Sequence, residues 1–221
     1  MSVTGSKGLR LGLVAVALVV IIVAAQGLAA YSAPAEATVS AGALLGHTGF
    51  EYLGGLRKFA AAVLWNRLEP QFHQYGNGKP INQRLDFLPT MRLVQILDPQ
   101  FQQSYYVASW MLAQIGRMPQ ALDLARDGIA NNPHAGLMRA NYAQMLLMKD
   151  KVKNLPEALK QAQAGTASDA TWATPDDQFE GYAIFRTIFD LAGDKISAQK
   201  MTEAQKALTA QGAGLGIERD Q

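Results

Sequence analysis

The sequence predicts an all-α protein, one N-terminal membrane-spanning helix followed by a stack of about four helical hairpins of repeat type. Three observations carry this. Residues 11–30, LGLVAVALVVIIVAAQGLAA, hold no charged side chain. From residue 50 onward apolar residues recur at helical spacing between Pro- and Gly-containing turns, and no stretch alternates with a period of two beside turn dipeptides. Within that region a helix–turn–helix unit recurs. Pro99 and Pro133 lie 34 residues apart, and MPQAL (118–122) returns as LPEAL (155–159) 37 residues later.

Composition agrees. Ala and Leu are frequent, while Val and Ile are thin outside the N-terminus, which favours helices. The absence of cysteine excludes disulfides and thiolate metal sites. Lys7 and Arg10 carry the net charge of +2, because the other 18 of the 20 basic side chains balance 18 acidic ones. A neutral body lacks the basic stripe that a phosphate backbone demands, so no nucleic-acid partner is expected.

As a helix, residues 11–30 reach ~30 Å, the thickness of a bilayer's hydrocarbon core. Lys7 and Arg10 precede this run and the next basic residue is Arg57. The positive-inside rule keeps residues 1–10 in the cytoplasm and places everything after residue 31 outside. The rival reading is a cleaved signal peptide, with Gly27-Leu28-Ala29 as a small-x-small site. The apolar run exceeds the roughly 7–15 residues usual for such a peptide, which favours a retained anchor. Either way the rest of the chain is exported.

Residues 31–49, rich in Ala, Gly, Ser and Thr, read as a linker. In LRKFAAAVLWNRL, Leu56, Phe59, Ala60, Val63, Leu64 and Leu68 fall on one helical face, and Pro70 closes the helix. QYGNGKP (74–80) is a loop. In DFLPTMRLVQILDP, Asp86 can cap a helix whose first turn tolerates Pro89, and Pro99 ends it. Next come a helix with Tyr105, Ser109 and Leu112 on one face, a turn at Gly116, and a helix carrying Ala121, Ala125 and Gly128. The following unit has a charged turn, KDKVK (149–153). Pro119 and Pro156 of the recurring pentapeptide are both expected at a first helical position, where a missing N–H costs nothing. A final pair reads FEGYAIFRTIFDLAGD and ISAQKMTEAQKAL, and residues 211–221 read as a flexible tail.

A 34-residue period of this kind resembles the tetratricopeptide repeat family. The middle unit is similar in its small Ser109, Gly116 in the turn, Ala121, Gly128 and closing Pro133. It departs from the family at Leu112 and Ala125, where large aromatics are usual. The next unit keeps Ala143 and Leu146 but lacks a closing Pro, and the outer pairs match in outline only. The resemblance implies a helical-repeat domain over residues 50–210. A second resemblance covers residues 52–76, where Gly54, Gly55, Leu64, Trp65, Arg67, Phe72, His73 and Gly76 are similar to the opening of single-span bacterial membrane proteins described only as tetratricopeptide-repeat proteins. It implies a single pass through the bacterial cytoplasmic (inner) membrane with the repeat domain extracytoplasmic, and no biochemical activity. In tetratricopeptide stacks the first helices of the hairpins line a concave groove. That resemblance places Gln103, Tyr106, Trp110 and Ala113, then Ala140, Gln144 and Leu147, on the groove wall. Tyr106 and Trp110 are one turn apart and could form an aromatic platform for a peptide. The alternative is that Trp110 packs against the neighbouring first helix.

Other candidates read as structural. Glu69 and His73 share a helical face, but with three His (His47, His73, His134) and no Cys a closed zinc site is poorly supplied. Arg67 pairs with an acid of the next hairpin or meets a lipid or partner group. Asp176, Asp177 and Glu180 follow Thr174-Pro175 and complement a helix N-terminus. Ser104 and Ser197 have no neighbouring motif that would make either a nucleophile, and GAGLG (212–216) follows no strand. No catalytic residue, metal, cofactor or small-molecule substrate is expected, and an enzyme acting on envelope polymers would lack a convergent acid–base pair. The expected function is a membrane-anchored scaffold or adaptor for other proteins of an envelope complex, with the bilayer as second partner through residues 11–30. The alternative is a permanent structural subunit of a large membrane assembly. Its span would pack through small residues at Gly8, Gly12, Ala15, Ala17 and Ala24.

Small residues at hairpin contacts let helix axes approach to ~8–10 Å. Ala121→Leu is therefore expected to destabilise the fold by ~1–3 kcal/mol through overpacking, read by chemical denaturation. An unchanged midpoint would remove Ala121 from the contact.

Overall fold

A computed structural model of the chain describes residues 53–68 and 87–214, and these are helical throughout their length apart from short connections. Helix α1 covers residues 53–68, followed by α2 (Phe87–Leu97), α3 (Gln102–Gln114), α4 (Met118–Asn131), α5 (Gly136–Lys149), α6 (Lys151–Gly165), α7 (Pro175–Ala192) and α8 (Lys195–Ala210). Among the described residues there is no strand, only an isolated bridge between Ala135 and Thr171. The expected span 11–30, the linker 31–49, the Glu69–His73 pair and Asp86 lie outside the described residues. No helix among the described residues is long and apolar enough to cross a membrane.

Short connections fold the chain into hairpins α3–α4, α5–α6 and α7–α8, and each packs on the next through α4 against α5 and α6 against α7. The first helices also pack in series, α3 on α5 and α5 on α7. Gly116 and Gly193 make the turns of the first and last of these hairpins, with φ of 78° and 79°, a backbone region open to glycine. The core is built where the small residues fall. Ala121, Ala125, Ala140, Ala143, Ala158 and Ala162 are all fully buried, with Phe185, Ile188 and Phe189 filling the space between them. A Cβ on Gly128 would meet Met138 Sδ at 2.8 Å, so α4 and α5 close tightly there. Arg126 stacks over the Tyr142 ring and donates to its hydroxyl at 2.9 Å, sealing the outer side of the same contact.

α1 joins through Trp65 and Leu68, which share a cluster with Phe87, Met91, Ala108 and Met111. The Trp65 and Phe101 rings lie 5.4 Å apart. This face differs from the one expected. Leu56 and Phe59 are 64% and 68% exposed; of the expected face Leu68 is buried, together with Ala61 and Trp65. The indole offers more apolar area than the aliphatic stripe beside it, and α1 turns to bury it.

The start of α6 is a second correction. Within KDKVK the chain reverses at Asp150 alone, and residues 151–153 already belong to α6. Asp150 accepts from the amides of Val152 (3.2 Å) and Lys153 (3.0 Å), and this cap starts the helix at Lys151. Pro119 does fall within the first turn of α4, whereas Pro156 lies inside α6. The carbonyl deprived of a partner by Pro156 is that of Val152, which is 87% exposed and open to water.

The connection from α6 to α7 runs across the start of α5 as a strap. Thr171 N–H donates to the His134 carbonyl (2.8 Å), Gly136 N–H donates to the Thr171 carbonyl (3.0 Å), and His134 meets Asp169 at 3.0 Å. This seats the Trp172 ring over Gly136 and Gly181, where any Cβ would collide with it, edge-on to Tyr182 at 5.3 Å. At the other terminus residues 211–214 turn back onto α7, with Ala213 buried and Gly214 N–H donating to Asp176 at 2.7 Å. Residues 215–221 lie outside the described residues.

Gly181→Ala is expected to lower unfolding free energy by ~1–3 kcal/mol, because the added methyl displaces Trp172 from its seat. Denaturation followed by Trp fluorescence checks it; a variant as stable as the parent would mean the strap is not held there.

Candidate functional site

Because α3 and α7 both flank α5, side chains from their N-terminal halves meet across it. Gln103 Nε2 of α3 donates to Asp177 Oδ1 of α7, residues 74 apart in sequence. One turn further along each helix, the Tyr106 hydroxyl contacts the Glu180 carboxylate. The two contacts form a ladder of two rungs between α3 and α7, the first helices of the first and last hairpins.

Thr174 caps α7, its hydroxyl accepting from Asp177 N–H at 3.0 Å. Asp177 is 4% exposed. Burial pushes its carboxyl above the ordinary range, against the pull of hydrogen-bonding groups on Thr174 and Gln103. Thr174 lies close enough to exert that pull, yet offers Oδ2 no bond of good length and angle, and Oδ2 is buried without a partner. Glu180 is half-buried and is also pushed upward, by burial and then by the charge of Asp177, with the Tyr106 contact opposing. Burial and Glu180 together raise the Tyr106 phenol well above its usual value. Among the described residues, no Lys or Arg is among the groups that shift the two carboxyls. Other buried polar atoms without a partner among the described residues are Gln102 Oε1 and Ser109 Oγ on α3 and Asn141 Oδ1 on α5.

Of the residues expected on the groove wall, Gln103 and Tyr106 enter this ladder. Trp110 is half-buried and packs against both main clusters of the core, which is the packing alternative raised for it above. Gln144 and Leu147 are half-buried on α5, and Ala140 is fully buried beneath them. Asp177 and Glu180 were read only as complements of a helix end. A signal for more was present: Glu180 stands in the second turn, beyond reach of the free N–H groups that Asp177 serves.

The remaining candidates take structural roles. The Ser104 hydroxyl donates to the Phe101 carbonyl at 2.8 Å, and Ser197 N–H donates to Asp194, the cap of α8, at 3.0 Å. His134 pairs with Asp169 on the surface. Among the described residues no three His, Cys, Asp or Glu gather as a metal-holding group. Open depressions of 460 and 490 Å³ lie beside Arg57 and Pro99 and between Arg92, Leu112 and Asp127, and neither includes a residue of the ladder. No protein-family model matches the chain, and comparison with curated proteins finds no match.

A carboxyl held above its unfolded value keeps its proton longer in the folded chain. The resulting stabilisation is complete below the ordinary values of 3.8 and 4.5 and is lost as pH rises through the raised ones. Asp177→Asn, which still accepts from Gln103, is therefore expected to gain stability relative to the parent as the pH rises above about 4. Urea denaturation at stepped pH measures this, and a difference that does not vary with pH would contradict it.

Proposed function

We propose that the chain is a membrane-anchored, extracytoplasmic scaffold or adaptor of the bacterial inner membrane, a tetratricopeptide-like α-solenoid mediating protein–protein interaction in an envelope complex. The observation that carries this is the serial packing of the first helices α3, α5 and α7. Gln103, Tyr106, Trp110, Gln144 and Leu147 stand half-buried on these helices, polar and aromatic groups of the kind that recognise polypeptides. The hairpins resemble tetratricopeptide repeats, but fold likeness alone does not fix function, so the weight rests on this shared face. The charge-free run at 11–30 supplies the anchor, and confinement to a surface raises the effective concentration for a membrane-bound partner. No chemistry is assigned; the mechanism is non-covalent capture.

One observation favours the second reading, a permanent structural subunit. Leu53, Leu56 and Phe59 of α1 and Ile96 of α2 are large apolar side chains left exposed, and Arg57 ties the two helices together by donating to the Ile96 carbonyl at 2.6 Å. An apolar surface of this sort suits a lasting interface. A structural subunit co-purifies at fixed stoichiometry after detergent extraction, and removing residues 11–30 abolishes its association.

A photo-crosslinking amino acid at Gln144 of the full chain, in the cells that make it, is expected to yield a discrete adduct identifiable by mass spectrometry. The same probe at Lys160, exposed on α6, is expected to yield none. Equal capture at both positions would remove the shared face of the first helices as the interaction surface. Gln144 suits the probe better than Trp110, whose ring packs against the core.

A further inference from the structure

We propose that Asp177 and Glu180, framed by Gln103 and Tyr106, bind a basic side chain of a partner polypeptide, the ammonium of a lysine or the guanidinium of an arginine. The inference rests on the scaffold reading above and names the chemistry of the partner at that face.

The helix cap accounts for only part of this arrangement. Asp177 sits where a capping-box acid stands, three residues after Thr174, but Glu180 is a turn beyond and serves no free N–H. The two carboxylates lie at a spacing of three along α7, neighbours on one face, and they repel each other there. Like charges brought together and withdrawn from water are costly unless a cation joins them. Among the described residues, none of the groups whose charge or hydrogen bonding shifts them is a cation.

Three of the four buried atoms without a partner among the described residues only accept, the Ser109 hydroxyl being the fourth. Asp177 Oδ2 belongs to a side chain 4% exposed and has no partner, and the unpaired Gln102 Oε1 and Asn141 Oδ1 are acceptors too. Gln103 commits one amide N–H to Asp177, and the Tyr106 hydroxyl lies beside Glu180. What such a site lacks is donors. Ammonium brings three N–H and guanidinium five, with no acceptor to compete. A divalent ion fits less well: calcium takes 6–8 oxygens, and no third acidic or imidazole group joins these two in a metal-holding arrangement. Asp176 is the remaining charged group acting on the pair, and its Oδ1 is occupied by Gly214 N–H.

Entry of a cation replaces the proton that burial favours, so binding is coupled to proton release. The affinity therefore rises with pH across the carboxyl range and falls with added salt.

The test uses the full chain in detergent and four probes: acetyl-Gly-Lys-Gly-amide, its arginine analogue, its citrulline analogue as the neutral isostere, and spermidine. The expected result is saturable NMR shifts at Gln103, Tyr106, Asp177 and Glu180 with lysine or arginine peptide and none with citrulline. Glu180→Gln should weaken the peptide at least tenfold. Calorimetry of the unaltered chain in two buffers of different ionisation enthalpy should show proton release, a readout that does not depend on any variant folding. Citrulline binding as well as arginine, a Glu180→Gln effect under twofold in a folded variant, or calcium saturating the same shifts would overturn the proposal. Spermidine binding tenfold tighter than either peptide would overturn the polypeptide source and move the site to free amines. Failure of the scaffold reading is distinguishable. Peptide shifts at the ladder without an adduct at Gln144 leave the cation site standing alone, whereas an adduct at Gln144 insensitive to Glu180→Gln leaves the scaffold without it.

Discussion

Helix α5 is covered by neighbours on nearly every side, and the rest of the fold is arranged to make that possible. Nine of its 14 residues are buried, among them Asn141 and Tyr142 as well as the apolar Leu137, Met138, Ala140, Ala143, Met145 and Leu146. A helix with one apolar stripe needs one partner, but a helix buried around its circumference needs several. α3, α4, α6 and α7 supply them. The approach is close because the facing positions are small: Ala121 and Ala125 on α4, Ala158 and Ala162 on α6. Enlarging any of these would lever a helix away from α5 and open the contacts made on its other side, since protein interiors are packed too densely to absorb an extra methylene quietly.

From this centre the position of the ladder follows. α3 and α7 both pack on α5, and its breadth sets the distance between them. The strap from α6 to α7 sets the height at which α7 begins, by pairing Thr171 with His134 and seating Trp172 on Gly136 and Gly181. Had α7 started a turn later, Asp177 would not meet Gln103, nor Glu180 meet Tyr106. The polar contacts are thus a consequence of apolar packing elsewhere, which is why they can hold groups whose burial is unfavourable in itself.

This division explains what the sequence disclosed. The hairpins were legible because helical periodicity, the turn at Gly116 and the closing Pro133 are local signals. Pro156 misled because proline marks a first turn only on average, and Asp150 as a cap six residues earlier outweighed it. The α1 face misled because Leu56, Phe59, Ala60, Val63 and Leu64 make a plausible stripe on their own. Which side is buried was decided by the partner, through Trp65 and Phe101. Gln103 and Tyr106 were placed by resemblance alone, and their counterparts were not. Asp177 and Glu180 lie 74 residues from them, and a single sequence contains no measure of which distant residues meet. Trp172 likewise reads as a loop residue until the two glycines that receive it are seen together.

The cost of the ladder is itself informative. Replacing buried ionisable groups by apolar ones of similar volume is often neutral or stabilising, so two adjacent acids without a cation are poor instruments for holding a fold. The core around α5 has no need of them: the alanines, Phe185, Ile188 and Phe189 already join α5 to α7. Their position at the edge of a face shared by three first helices, rather than within the apolar layer, separates them from the parts that stabilise. Features that oppose stability concentrate where a protein meets something else, because function there requires a group that packing alone would discard. By that argument the surface with the least favourable internal chemistry, the α3–α7 side of α5, is the one we propose turns towards a partner.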